Sequence, residues 1–245
     1  AVVQDVILQI ESAIVSGALD NGEKLPPERE LQSEFQASRT TIREALRVLE
    51  QKCLINIRKG KGGGSFVEPK SDLRFSENLD LMIRLGQVTL SQLFDFRCNI
   101  EVMAFESAIY KANAEDIIRL RDIYSKMEKA HQNHRGDHQA FFEIEKTMHR
   151  EIVALSHNPL YGLVLKTITA STWKVMRFLP NSVSEMKAAL LDWHDILEGL
   201  ECRDIHKATT VIRAHHLNYR RVYEKYLKSK NLNDRTVAQA LEDFE

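Results

Sequence analysis

The chain has 245 residues, 43% hydrophobic, 28% charged and 7% aromatic, a balance that excludes disorder, collagen and a disulfide scaffold and favours helices over a sheet sandwich. Its 34 basic and 35 acidic residues sum to -1, which on first reading argues against a nucleic-acid partner. No apolar run approaches the roughly 20 residues of a membrane span, and Cys53, Cys98 and Cys202 form no CxxC pair, as expected in a reducing cytoplasm.

The opening AVVQDVILQI lacks a basic lead and a small-residue cleavage site, so no secretory signal is expected. Val3, Val6, Ile7, Ile10 and Ile14 recur at helical spacing, and Gly17 and Gly22 bound the turn that follows. LPPERELQSEF places prolines at the first turn of a short second helix. Ser38 is the expected N-cap of a third helix from Arg39 to about Gln51, with Ile42, Leu46 and Leu49 facing inward. LINIRKGKGGGSFVEP then reads as strand, glycine-rich turn and strand. Three helices and a β-hairpin wing make a winged helix-turn-helix.

Six helical patterns follow, from Leu90 to Lys111, Ala114 to His131, Gln139 to Leu155, Leu160 to Phe178, Ser184 to Glu201 and Ile205 to Leu227. The breaks at Gly136/Asp137, Asn158/Pro159 and Pro180/Asn181 are short, as between antiparallel neighbours in an all-α bundle. The fold class is therefore mainly α. The division is a winged helix-turn-helix over residues 1–70, a linker over 71–77, an all-helical domain over 78–230 and a polar tail, as a frayed helix, over 231–245.

Resolving the charge by segment reverses the first impression. Residues 1–34 hold two basic and seven acidic residues, whereas residues 35–67 hold seven basic and two acidic, a local charge of +5. Phosphate binding draws on local charge, through release of condensed counterions. Arg39, Thr40, Thr41 and Arg43 project from the first turn and a half of the third helix, the part of a recognition helix that reaches base edges. The alternative is a solvated basic face.

The run LPPERELQSEFQASRTTIREALRVLEQKCLINIRKGKGGGSFV resembles the DNA-binding domain of the GntR family of bacterial transcription regulators. That resemblance implies contacts to double-stranded DNA from Arg29, Ser38, Arg39, Thr40, Thr41, Arg43, Lys59 and Gly60. The glycine run of the wing is longer than the family pattern.

Residues 78–228 resemble the FCD effector-binding bundle of the FadR subfamily, through EKTMHREIVALSHNPLYGLVL and HDILEGLECRDIHKATTVIRAHH. The resemblance implies a divalent metal, Zn²⁺, Ni²⁺ or Mn²⁺, on Glu145, His149, His194 and His215. Independently, Glu145 and His149 are four residues apart on one helical face beside Phe141, Met148 and Ile152, and His215 shares a face with Ala208, Ile212 and Tyr219. The alternative is a set of hydrogen-bonded core histidines. His131, His134, His138, His157, His206 and His216 are expected in solvent. Arg97, four residues before Glu101, matches the subfamily's Arg-x-x-x-Glu pattern and is expected either to hold an effector carboxylate or to pair with Glu101.

The expected protein is a homodimeric regulator that binds a palindromic operator and responds to a small acidic metabolite, with no membrane partner. A metal-free bundle sensing fatty acyl-CoA is the alternative within the family. A metal-dependent enzyme is the alternative from another class, and no HExxH, GxSxG or GxxxxGK motif supports it.

Overall fold

The computed structural model describes residues 2–68, 71–132, 138–176 and 182–243. Among them are eleven helices and one two-stranded antiparallel sheet. None of the described helices is long and apolar enough to cross a membrane. The chain forms two compact units, Ala1–Glu77 and Asn78–Glu245. The breaks at Gly136/Asp137 and Pro180/Asn181, together with His134, lie outside the described residues.

In the first unit, α1 (Val2–Val15), α2 (Glu28–Glu34) and α3 (Arg39–Gln51) precede the hairpin of β1 (Ile55–Arg58) and β2 (Gly64–Val67). Val6, Ile7 and Ile10 of α1 pack on Ile42, Ala45, Leu46 and Leu49 of α3, closed by Leu25, Leu31, Ile55 and Val67. Ser38 caps α3 by accepting from the Thr41 amide at 3.2 Å. β1 and β2 pair with Ile55 opposite Val67 and Arg58 opposite Gly64. The stretch before α2 adds an outer edge, since the Leu25 amide donates to Ser65 and the Val67 amide donates to Glu23, both at 2.8 Å.

The glycine run has a geometric cause. Gly60 and Gly62 sit at φ +93° and +86°, where side chains are strained, and a Cβ on Gly63 would fall on the Arg58 carbonyl oxygen.

Residues 71–77, expected as a linker, instead form the first half of α4 (Ser71–Leu85). α4 runs across the division at Glu77/Asn78, and beyond it the second unit comprises α5 (Leu90–Lys111), α6 (Ala114–Gln132), α7 (Gln139–Leu155), α8 (Pro159–Met176), α9 (Val183–Glu201), α10 (Ile205–Ser229) and α11 (Val237–Asp243). Each entry carries its own signal. Thr89 and Gln92 form a capping box before α5, Ser182 and Glu185 form another before α9, and Asp204 caps α10 by accepting from the Lys207 amide at 2.9 Å.

α5 is the central helix, burying Phe94, Arg97, Glu101, Phe105 and Ile109 against its neighbours. One core joins α5, α6, α7, α9 and α10 around Phe105, Met127, Met148, Ile152 and Trp193. A second gathers Leu90, Phe94, Ile168, Val175 and Tyr223. The expected polar tail belongs to this second core: Val237 and Ala240 of α11 are buried, and the Val237 amide donates to the Val88 carbonyl at 2.8 Å.

Candidate DNA-reading head and buried histidine centre

The exposed end of α3 in the first unit presents Arg39, Thr40 and Arg43 to solvent. Glu28, at the start of α2, reaches both arginines, with its Oε2 3.1 Å from Arg39 Nε and its Oε1 3.6 Å from Arg43 Nε. Both pairs are exposed and contribute little to stability. Thr41 is turned into the cap, its hydroxyl 2.9 Å from Ser38 Oγ. Arg29 is exposed on α2, and Lys59 and Gly60 are exposed at the wing tip.

The second unit buries six polar side chains together: Arg97, Glu101, Glu145, His149, His215 and His216. Such groups are stable inside a bundle only when their hydrogen bonds are made. Glu101 accepts three hydrogen bonds, from Arg97 Nε to Oε1 at 2.7 Å and from His149 Nδ1 at 2.6 Å and His216 Nε2 at 2.9 Å to Oε2. Burial pushes the Glu101 carboxyl up, but the Arg97 charge, with His149 and His216, outweighs it and holds the group well below the usual carboxylate range. Burial drives His149 down to about 4 against the pull of Glu101, and it lowers His216 as well. Both rings are therefore neutral at pH 7. With its Nδ1 proton donated to Glu101, His149 keeps a lone pair on Nε2.

Glu145 faces the other side of His149. Trp193 Nε1 donates to its Oε1 at 3.0 Å and the Tyr219 hydroxyl donates to its Oε2. Burial, and then the Glu145 charge, raise Tyr219 well above the ordinary phenol value, so it keeps its proton. His215 donates from Nδ1 to Asp192 Oδ2 at 3.1 Å. Its Nε2 is buried, has no hydrogen-bond partner, and lies 3.4 Å from Glu145 Oε1. Glu145, His149 and His215 offer one ligand atom each within 4.8 Å of one another. A cavity of about 300 Å³ opens on Glu145 and His215, with Arg221 and Lys225 also lining it.

Three of the four expected metal ligands are thus together, and the fourth is not. The His194 ring is half exposed, 3.4 Å from Asp195 Oδ1 and edge-on to Tyr124. The inward positions of α9 are Trp193, Ile196, Leu197 and Leu200, which places His194 about 100° round the helix from Trp193 and off that stripe. His216, expected in solvent, is buried on Glu101. Arg97 takes the ion-pair alternative, tied to Glu101 and lying 5.1 Å from the Trp173 ring. Glu101, Asp192, Trp193 and Tyr219 were not among the expected site residues; the i, i+4 spacing of His215 and Tyr219 was the available signal for the last.

Comparison with known proteins bears on both units. The FCD domain family model matches residues 92–218, and that of the bacterial regulatory proteins, gntR family, matches residues 2–64. The chain is 29% identical over 206 residues to the uncharacterized HTH-type transcriptional regulator YcbG of Bacillus subtilis (strain 168), covering 84% of this chain and 82% of that one. It is 28% identical over 223 residues to the fatty acid metabolism regulator protein of Shewanella denitrificans, covering 88% and 89%. The solved structure of Streptococcus agalactiae GntR shares the fold, with a TM-score of 0.66 and 22% identity over 89% of this chain and 99% of that one. A helix-turn-helix with a hairpin wing, followed by an FCD bundle, places this chain in the GntR family of bacterial regulatory proteins, as a transcription regulator rather than an enzyme.

Proposed function

We propose that this regulator binds a palindromic operator as a homodimer, through the exposed end of α3 and the wing, and that a small carboxylate-containing metabolite in the bundle sets its affinity for DNA. In this reading Arg39 and Arg43 read base edges, while Arg29, Ser38, Thr40, Lys59 and the Gly60 backbone seat the phosphates. A twofold dimer matches two half-sites, and the metabolite acts only through its differential affinity for the two states of the regulator.

The observation that carries the metal part of this reading is the orphaned Nε2 of His215 beside Glu145. The donor set fits a divalent ion, because both ring nitrogens that would face it, on His149 and His215, belong to imidazoles whose Nδ1 is held by a carboxylate. Glu145, His149 and His215 would hold Zn²⁺, Ni²⁺ or Mn²⁺ with positions left for a ligand. When bound, the ion supplies positive charge that an effector carboxylate can meet. Trp193 and Tyr219 orient Glu145, Glu101 and Asp192 fix the two ring tautomers, and Arg221 and Lys225 draw an anion into the cavity.

Elemental analysis of the purified protein, with thermal shifts on adding each metal after EDTA treatment, tests the ligand set. Absence of metal together with no thermal shift would favour the metal-free reading, in which His149 and His215 are core histidines. Anisotropy titrations at stated salt and sedimentation with operator DNA test the DNA and dimer parts.

A further inference from the structure

The stretch before α2 widens the wing, because Lys24 pairs with Phe66 in an antiparallel bridge along β2. Side chains alternate between the two faces of a strand, and Ile55 and Val67 point into the core, so Asn56, Arg58 and Phe66 share the outward face. Lys24 lies on that face too. Its Nζ is 5.6 Å from the centroid of the Phe66 ring, and the Arg58 guanidinium carbon is 4.4 Å from the same centroid. A Cβ on Gly64 would fall 2.5 Å from Lys24 Cε, so the lysine stem crosses β2 where that strand has no side chain.

An aromatic ring attracts a cation to its face. Two long side chains held by one ring have fewer rotamers to lose when they grip an anion. Lys24 and Arg58 are both exposed. Among the described residues Lys24 has no carboxylate partner, while Glu68 is engaged by Asn56 at 2.8 Å and meets Arg58 only at 3.5 Å. Lys59 and Lys61, also exposed, continue the basic surface into the wing tip. A row of cations that starts at the tip and runs along the outward face is complementary to the regularly spaced phosphates of a nucleic-acid strand.

We propose that the outward face of the wing is a second phosphate-binding surface, on which Lys24 and Arg58, positioned by Phe66, hold the sugar–phosphate backbone beside the groove that the wing tip enters. It adds two phosphate contacts to those of α3 and the tip and carries no base preference. This rests on the reading of the first unit as a DNA-binding head, and the test separates the two.

Anisotropy of the full chain with a scrambled duplex of about 30 base pairs, over a series of salt concentrations, reads the number of phosphates engaged, since each contributes about 0.9 to the slope of log K against log salt. The Lys24→Ala/Arg58→Ala double variant is expected to lower that slope by about 1.8 and to bind at least tenfold more weakly at about 100 mM salt. The Lys24→Arg/Arg58→Lys variant keeps both charges and is expected to keep the slope. Phe66→Leu frees the two cations without removing them, and is expected to weaken binding severalfold with the slope unchanged. Lys52→Ala removes a cation paired with Glu11 at 2.5 Å, beyond the last turn of α3, and serves as the control for net charge, with no change of slope expected. Thermal melts that match the parent show that the variants are folded. Arg39→Ala tests the α3 reading alone, through the preference for operator over scrambled duplex. A slope unchanged in the double variant, or lowered as much by Lys52→Ala, overturns the outward-face proposal whatever Arg39→Ala does; a parent that binds no duplex overturns both readings.

Discussion

His215 Nε2 and Glu145 Oε1 face each other at 3.4 Å at the buried end of a cavity, with no hydrogen bond between them. With His215 Nδ1 donating to Asp192, Nε2 turns a lone pair toward the Glu145 carboxylate, so two acceptors meet. A cation between them removes that repulsion, which makes this contact the point where stability should respond to metal.

A metal at about a hundred times its Kd is expected to stabilise the EDTA-treated protein by roughly 2.7 kcal/mol, or about 5–10 °C in Tm. His215→Ala and Glu145→Gln should abolish the shift in differential scanning fluorimetry, and His194→Ala should keep it. Equal shifts in all three variants would exclude the ligand set.

Arg39→Ala and Arg43→Ala are each expected to weaken operator binding by about 1–3 kcal/mol and to relax discrimination at one base. Lys59→Ala should act alike on all sequences and reduce the salt slope by about one unit. Glu28→Gln removes the acid that reaches both arginines and should strengthen non-specific binding. Anisotropy at several salt concentrations, on operator and scrambled duplexes, separates these outcomes.

Asp116 gives a pH-dependent prediction. Its carboxylate accepts from the Asn113 amide at 2.9 Å and pairs with Arg119, and the backbone hydrogen bond leads in holding its pKa below the ordinary value. A depressed carboxyl contributes stability that is present above its unfolded pKa, near 4, and lost as pH falls through the lower folded value. Asp116→Ala should cost about 1 kcal/mol at pH 7, with the gap to the parent narrowing below about pH 4. Urea melts at pH 7, 5 and 3 check this; a gap that stays constant into acid would show that the charge is not its source.

Gly199 stands where α9 crosses α10, and a Cβ there would lie 2.9 Å from Ala208 Cβ and 3.0 Å from Ala208 N. Gly199→Val is expected to destabilise the bundle by roughly 2 kcal/mol through overpacking, despite the better helix propensity. A melt within a degree of the parent would mean that the crossing yields freely.

Much of this was legible from period and capping alone. Ser38 before an arginine-led helix, the Thr89 and Ser182 boxes and the glycine turn each specify local geometry through contacts a few residues apart. What could not be read depends on partners far along the chain. The 71–77 stretch is polar enough to pass as a linker but continues into the apolar Leu79 and Ile83, and α11 needs α8 to bury Val237. The register of His194 was legible in principle, since Ile196, Leu197 and Leu200 define the inner stripe and put Trp193 on it. The burial of His216 was not, because its partner Glu101 lies 115 residues away.

Glu101 has one further consequence. Its Oε2 is shared by a ring on α7 and a ring on α10, while Oε1 is clamped by Arg97 from its own helix. A carboxylate so fixed cannot follow either ring. If a ligand turns His149 away, His216 is left as the sole claimant of that oxygen, so the mutual registration of α7 and α10 is read through a single atom, and a displacement too small to disturb the packing still changes which helix that atom serves.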